Sequence, residues 1–313
     1  MTAHPAIAIP YALVAWHSKY FGDAGRPWIV ALPALAADCM DRWQLRPDGP
    51  LTHGCVALIL PVRRVDGTAA ALKLQPVTDQ TVGEPIALRS WDGHGAVRLL
   101  EHDPDSGAML LERLDPDCPL STVPDDLAAI RVIAELLVRL EAGPVPAELP
   151  QLADIAAAML DRVPAAVALL VDPAERRLLD GCAAAVRELL TEPGDRLLHW
   201  DLHYDNVLAS NSSAPREPWL AIDPKPVIGD PGFELLPALW NRWPDVVATG
   251  DVPAAVRRRF DLMTEIMGLQ RDRAAGWTLG RVMQTALWDL ERFGECALHP
   301  AHRAIVEALR HRY

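Results

Sequence analysis

Hydrophobic positions follow two regimes along the chain. In residues 27–45 apolar side chains recur at helical spacing, with Trp28, Leu32, Leu35, Cys39 and Trp43 on one face. A shorter helix over residues 12–20 precedes it. Pro47-Asp48-Gly49-Pro50 is a turn, after which the pattern becomes strand-like. Residues 56–65 are rich in aliphatic and β-branched side chains, Asp66-Gly67 is a hairpin signal, and residues 70–75 return. A second strand pair is predicted at 96–102 and 108–114, joined by Asp103-Pro104-Asp105-Ser106-Gly107. Between the pairs, residues 79–91 read as a short helix stopped by Asp92-Gly93. From Asp125 the pattern is helical, with helices expected at 125–142, 152–163, 173–190, 253–269, 276–293 and 300–311. A β-rich start and an α-rich remainder predict an α+β protein with two lobes. The small antiparallel N-lobe takes residues 1–113 and the larger helical C-lobe takes 114–313, with the hinge near 111–116.

The helical half is interrupted once, by short apolar runs around a polar segment. His199-Trp200-Asp201-Leu202-His203-Tyr204-Asp205-Asn206 lies between Arg196-Leu197-Leu198 and Val207-Leu208-Ala209. Trp219-Leu220-Ala221-Ile222 then delivers Asp223, followed by Pro224 and Lys225. Residues 210–218 are polar with two prolines and form a surface turn joining an antiparallel pair. Asp201 and Asn206 should therefore face Asp223 across a hairpin. An Asp, an Asn five residues later and an Asp seventeen beyond that suit phosphoryl transfer, which asks the protein to orient a hydroxyl and neutralise a triphosphate. Asp201 would take the acceptor's proton. Asn206 and Asp223 offer the oxygen ligands that Mg²⁺ prefers. The bland alternative is that the same residues only cap turns.

Composition narrows the choice. The chain has 313 residues, half of them hydrophobic and 23% charged, as expected of a globular protein. Its net charge of −12 argues against nucleic acid as a partner and suits a cationic substrate. Five scattered cysteines (Cys39, Cys55, Cys118, Cys182, Cys296) form neither a disulfide framework nor a zinc site, and are expected to be buried in a reducing cytoplasm. No segment has the roughly 18 consecutive apolar residues of a membrane span, and Pro5 and Pro10 interrupt the apolar N-terminal patch, which is not expected to be a signal peptide.

Only three lysines occur: Lys19, Lys73 and Lys225. Lys73 sits mid-strand in Ala70-Ala71-Leu72-Lys73-Leu74, where a charged head group is costly unless it finds a partner. In kinase-type lobes it meets the α- and β-phosphates, held by a helix glutamate. Glu84 is the best candidate, since Pro85 restricts it to the first helical turn. The alternatives are an edge-strand lysine and a helix cap. No GxGxxG or GxxxxGK[ST] loop occurs, and Gly54 stands alone before the hairpin. Leu110-Leu111-Glu112-Arg113-Leu114 would form the connecting strand, with backbone groups at Glu112 and Leu114 for the base edge of ATP or GTP.

Together these segments resemble the aminoglycoside phosphotransferase family, antibiotic-modifying kinases with a bilobal protein-kinase-like fold, and within it the streptomycin 6-kinase and hydroxyurea phosphotransferase branch. The likeness rests on Val62 to Gly67 with Leu72-Lys73-Leu74, on Glu84 to Gly93 with its Trp91-Asp92-Gly93, and on Gly95 to Leu100. It continues through Leu110 to Leu114, the His199 to Leu208 loop, Ile222-Asp223-Pro224-Lys225-Pro226 and Gly229 to Glu234. Trp200 stands where many relatives have glycine. The resemblance implies Asp201 as catalytic base, Asn206 and Asp223 as magnesium ligands, Lys73 on the phosphates and a nucleotide between the lobes, with His199 bracing the loop. For the acceptor, Glu234, Trp240, Asn241 and Asp289 are candidates, carboxylates near tryptophans being suited to a guanidinium or ammonium. The implied activity is transfer of a nucleoside triphosphate's γ-phosphate to a hydroxyl of an aminoglycoside, most plausibly streptomycin. Another small hydroxylated acceptor, such as hydroxyurea or a biosynthetic intermediate, and a non-catalytic nucleotide-binding protein on a kinase scaffold are the rival readings.

Overall fold

The computed structural model describes residues 7–211, 216–294 and 296–310. The chain divides into two compact units, Met1–Gly93 with Val97–Leu114, and His94–Ala96 with Asp115–Tyr313.

In the first unit, α1 (Tyr11–Phe21) and α2 (Arg26–Arg42) precede β1 (Arg46–Pro47), β2 (Thr52–His53), β3 (Leu58–Arg63) and β4 (Ala69–Leu74). Then come α3 (Glu84–Trp91), β5 (Leu99–Asp103) and β6 (Ala108–Glu112). The strands form one antiparallel sheet in the order β1-β3-β4-β6-β5, with β2 also on β3. Alternation along β3 buries Leu58, Leu60 and Val62, as strand periodicity requires. They join Leu13 of α1 and Leu32, Ala36, Cys39 and Met40 of α2 in one core. β4 lies between β3 and β6, so Lys73 is not on an edge strand. The helix expected from 79 starts only at Glu84, with Pro85 in its first turn, and ends on left-handed Asp92 (φ 43°) and Gly93 (φ 83°).

β5 begins at Leu99 and not at Ala96. Gly95 and Ala96 belong to the second unit, where the Gly95 carbonyl accepts from Ala221 N–H (2.9 Å) and Ala96 bridges Ala221. Their backbone groups are satisfied there, which removes them from the strand that their apolar character suggested.

The second unit runs β7 (Asp115–Pro119), α4 (Asp126–Glu141), α5 (Leu152–Leu169), α6 (Pro173–Leu189), β8 (Arg196–Leu198), β9 (Val207–Ala209), β10 (Trp219–Ala221) and β11 (Val227–Gly229). It closes with α7 (Leu235–Trp240), α8 (Trp243–Ala248), α9 (Val252–Met267), α10 (Arg271–Phe293) and α11 (Pro300–Leu309). The predicted end of the last helix, His311, and part of the turn after Ser210 lie outside the described residues. α5 passes through Pro164 where the pattern stopped at Val163, because Val163 and Ala166 continue its buried face. That burial offsets the backbone hydrogen bond that proline forgoes. α10 starts at Arg271, five residues before the expected 276, a polar first turn having hidden its beginning. α7 and α8, six residues each, are too short to show a period. Two small antiparallel groups, β10-β9-β7 and β11-β8, interrupt the helices and carry the loops that matter below. Cys39 and Cys182 are buried as expected, whereas Cys55 and Cys296 are exposed; Cys55 precedes β3 and Cys296 lies between α10 and α11, outside the elements that would cover them.

Candidate active site

Two hairpin-like pairings create the site in the second unit. β8 pairs with β11, Leu198 opposite Val227, and β9 pairs with β10, Val207 opposite Ala221. The loops between them, 199–206 and 222–226, are thus held at both ends. Ile222 N–H donates to the Asn206 carbonyl (2.9 Å) and Lys225 N–H to the His199 carbonyl (2.9 Å). Asn206 and the residue before Asp223 are therefore direct neighbours.

His199 is the internal brace. It is fully buried, its Nε2 lies 3.0 Å from the Ile222 carbonyl, and its Nδ1 accepts from Asp201 N–H (3.3 Å). Those two partners are satisfied together only by the neutral ring protonated on Nε2. Burial, the largest influence, pushes its pKa down to about 3, in keeping with that form. Asn206 donates from Nδ2 to the Asp201 carbonyl (2.9 Å), which fixes the orientation of its amide. Asp223 has a left-handed backbone (φ 57°), and Lys225 Nζ sits 2.9 Å from its Oδ1. A cation thus already accompanies this carboxylate. Asp201 is half-buried, and burial raises its carboxyl pKa, against the charges of His203, Lys225 and Arg281.

Trp200 has φ 67°, a region costly for any residue with a side chain, about 1–3 kcal/mol. This explains why glycine suits the position, and the surroundings explain how tryptophan persists. Its N–H donates to Glu234 Oε1 (3.2 Å), and its carbonyl lies 3.5 Å from a guanidinium nitrogen of Arg281. The Arg281 guanidinium carbon stands 5.1 Å from the Trp200 ring centroid, 5.5 Å from Trp288 and 5.8 Å from Phe233. Arg281 is 8% exposed and Glu234 1%. Burial pushes the arginine down to about 10 and the glutamate up to about 8.

Tyr204, next to the metal candidate, is tied to α4 and α9. Its hydroxyl donates to Asp126 Oδ1 (2.7 Å), and Arg259 donates to both Asp126 oxygens (2.9 and 2.6 Å). Buried Arg259 also donates to the carbonyls of Ala238, Leu239 and Asn241 at 3.3, 3.0 and 2.8 Å, capping the C-terminal end of α7, where a helix leaves acceptors unpaired. In the glycine-containing segment before α7, a Cβ on Gly232 would lie 2.8 Å from Ala274 Cα, so no other residue permits that approach of the 3₁₀ turn to α10.

In the first unit Lys73 Nζ donates to both Glu84 oxygens at 2.7 Å, and Gln75 Nε2 donates to Oε2 at 2.6 Å. Lys73 and Glu84 are 4% and 0% exposed. The lone strand lysine and the glutamate beside Pro85 are therefore brought together. Glu112 caps the chain locally, its N–H donating to the Arg98 carbonyl and its Oε1 accepting from Arg98 N–H; Leu114 is buried.

The acceptor candidates fare unevenly. Glu234 is a correction: a carboxylate buried against the Trp200 backbone is not presented to a ligand. Trp240 is 41% exposed, its ring edge-on to His299 and His302. Asn241 Nδ2 reaches Asp205 Oδ2 (3.3 Å) and His203 Nδ1 (3.4 Å), at the flank of the 199–206 loop. Asp289 is half-buried on α10, beside Trp288, which packs on Trp200 at 6.1 Å. The sequence reading missed Arg281, Arg259 and Asp126. Arg281, flanked by Leu279, Gly280, Val282 and Met283, carries the same signal that singled out Lys73.

Magnesium fits the donor set here. The amide oxygen of Asn206 and the carboxylate of Asp223 are hard oxygen ligands.

An antiparallel sheet with a buried Lys–Glu pair, and a helical unit interrupted by a loop of this geometry, define the protein-kinase-like class of small-molecule phosphotransferases. The solved structure of aminoglycoside phosphotransferase APH(4)-Ia shares the fold, with a TM-score of 0.58 at 15% identity over 88% of this chain and 98% of that one. Residues 42–292 match the aminoglycoside/hydroxyurea antibiotic resistance kinases, and the chain belongs to that family. It is 56% identical to the streptomycin 6-kinase of Streptomyces glaucescens over 99% of both chains. It is 52% identical to a hydroxyurea phosphotransferase of Kitasatospora aureofaciens, over 97% of this chain and 86% of that protein.

Proposed function

We propose that this chain is a cytoplasmic kinase that transfers the γ-phosphoryl group of ATP to a hydroxyl of streptomycin, inactivating the antibiotic. The reading is carried by the bond from Asn206 Nδ2 to the Asp201 carbonyl, which ties the amide of a candidate metal ligand to the backbone of the candidate base. Asp201 accepts the proton of the attacking hydroxyl, whose oxygen bonds to the γ-phosphorus as the bond to the β,γ-bridging oxygen breaks. Lys73, oriented by both Glu84 oxygens, meets the α- and β-phosphates. Glu112 and Leu114 meet the base edge, Glu112 through its carbonyl because its N–H already donates to Arg98. Asn206 and Asp223 would hold Mg²⁺, which would neutralise charge on the triphosphate. Lys225 pairs with the Asp223 carboxylate at 2.9 Å. Trp240, Asn241 and Asp289 are assigned to the acceptor side, a net charge of −12 favouring a cationic antibiotic. The reaction calls for neither nucleic acid nor a membrane; among the described residues no helix is long and apolar enough to cross one.

Hydroxyurea as acceptor is the second reading, favoured by the 52% identity to the phosphotransferase of that name. Purified protein incubated with labelled ATP or GTP and with streptomycin, other aminoglycosides or hydroxyurea separates the two. Label on streptomycin supports the first, and label on hydroxyurea alone supports the second. Nucleotide binding with no transfer to any acceptor contradicts both and favours a non-catalytic binding protein.

A further inference from the structure

Trp200 immediately precedes Asp201, and its backbone is held in the left-handed region at φ 67°. A side chain in that region persists only where its surroundings over-determine it, and such residues gather at working sites. Here both polar groups of its backbone are engaged by buried side chains, one acidic and one basic, from distant parts of the chain. The N–H donates to Glu234 Oε1 at 3.2 Å, and the carbonyl faces Arg281 at 3.5 Å. Each side chain is itself fixed. Glu234 ends the 3₁₀ turn Pro231–Glu234, which Asp230 caps through Gly232 N–H (2.8 Å), while Arg273 Nε holds Asp230 at 2.6 Å. Arg281 donates to Gln284 Oε1 (2.5 Å) and stacks among Trp200, Trp288 and Phe233.

We propose that Glu234 and Arg281 are positioning residues for phosphoryl transfer: gripping the two ends of the Trp200 backbone, they hold its left-handed turn and so aim the carboxylate of Asp201. The proposal rests on Asp201 being the catalytic base. It takes Glu234 away from the acceptor and gives a buried arginine in an aromatic surround a place in the reaction. Neither residue touches substrate in this account; both act through Trp200. Loss of either grip lets the turn relax toward a commoner conformation and displaces Asp201, while nucleotide binding persists because Lys73 and Asp223 are held by contacts outside this turn.

The experiment compares Glu234→Gln, Glu234→Ala, Arg281→Lys and Arg281→Met with the unmodified full chain and with Asp201→Ala, measuring kcat, KM for each substrate and nucleotide affinity. Glu234→Gln keeps an oxygen acceptor and should retain most activity. Glu234→Ala and Arg281→Met should lose roughly 10- to 100-fold in kcat, the scale of a misplaced reacting group, with KM for nucleotide unchanged. Arg281→Lys, which cannot span the same stack, should fall between. In a further variant, Arg281→Ala, made for this rescue alone, added ethylguanidinium should restore part of kcat. A second arm uses Trp200→Gly, which adopts the turn without strain: adding Glu234→Ala to it should cost several-fold less than the same change in the unmodified chain. Folded Glu234→Ala and Arg281→Met proteins with unaltered kcat overturn the proposal, as do variants losing nucleotide affinity and kcat in parallel. Should the methionine variant fail to fold, Arg281→Lys and the Trp200→Gly pair still decide, because equal cost in both backgrounds contradicts the grip. If Asp201→Ala turns over normally, the base assignment itself fails, whatever the other variants do.

Discussion

Asn206 is bonded to Asp201 side chain to backbone, Nδ2 to carbonyl oxygen, across 2.9 Å. The two residues are five apart in the chain and joined by the 3₁₀ turn Tyr204–Asn206, so one loop carries both the proposed base and a proposed metal ligand. Replacing Asn206 with Ala removes the ligand and frees the carbonyl together. Both kcat and the affinity for Mg-nucleotide should fall, whereas metal-free nucleotide should bind as before. Titrations of nucleotide with and without Mg²⁺ check this, and unchanged Mg²⁺ dependence would contradict it.

The Lys73–Glu84 pair is buried as well as being a candidate phosphate clamp, so neither partner can be removed without cost. Glu84→Ala leaves a buried ammonium without either carboxylate oxygen and strands the Gln75 amide. Breaking a buried pair from one side costs about 3–5 kcal/mol. Urea unfolding should show that loss. Lys73→Met breaks the pair from the other side, leaving the buried Glu84 carboxylate with Gln75 alone, and should destabilise to a similar extent while also weakening nucleotide binding.

Arg259 joins Asp126, Tyr204 and three carbonyls at the end of α7. Arg259→Met should cost on the order of 3 kcal/mol, and Asp126→Asn somewhat less. The double variant should cost clearly less than the sum, since each single change leaves a group of the other unpaired. Additive unfolding free energies would show that the two residues do not act together.

Much of this was legible in the residues themselves. Lys73 announced a partner because it stood among apolar neighbours, and Pro85 fixed where Glu84 must lie. The spacing of Asp201, Asn206 and Asp223, with short apolar runs on either side, implied the paired loops. What local pattern cannot carry is contact between distant segments. Glu234 follows the metal segment as a surface acid would, and only the packing of α7 and α10 shows it buried on Trp200. The strain at Trp200 is likewise a backbone angle with no signature of its own, and α7 and α8 are too brief to display a period. Ala96 looked like strand because it is apolar, and its partner is Ala221.

His302 makes the fold sensitive to acid. Burial first, then His299 and Arg281, lower its pKa from 6.5 to about 4, and its Nε2 has no hydrogen-bond partner. The unfolded chain therefore takes up this proton at higher pH than the folded one. Its contribution to stability is complete above pH 6.5 and is lost as pH falls toward 4, at up to about 1.4 kcal/mol per pH unit. Urea midpoints followed between those limits should drop less steeply for His302→Phe, which keeps the aromatic contact with Trp240 and cannot titrate. Parallel slopes would remove His302 from the account.

The most direct test of the proposed reaction is Asp201→Asn, assayed for transfer from labelled ATP to streptomycin beside a titration of Mg-nucleotide binding. The substitution keeps size and hydrogen-bonding capacity while abolishing the base. Transfer should fall about 10²- to 10⁴-fold with nucleotide affinity preserved. A variant that transfers phosphate at the parent rate, or that loses nucleotide binding in proportion to its activity, contradicts the assignment of Asp201 and the mechanism built on it.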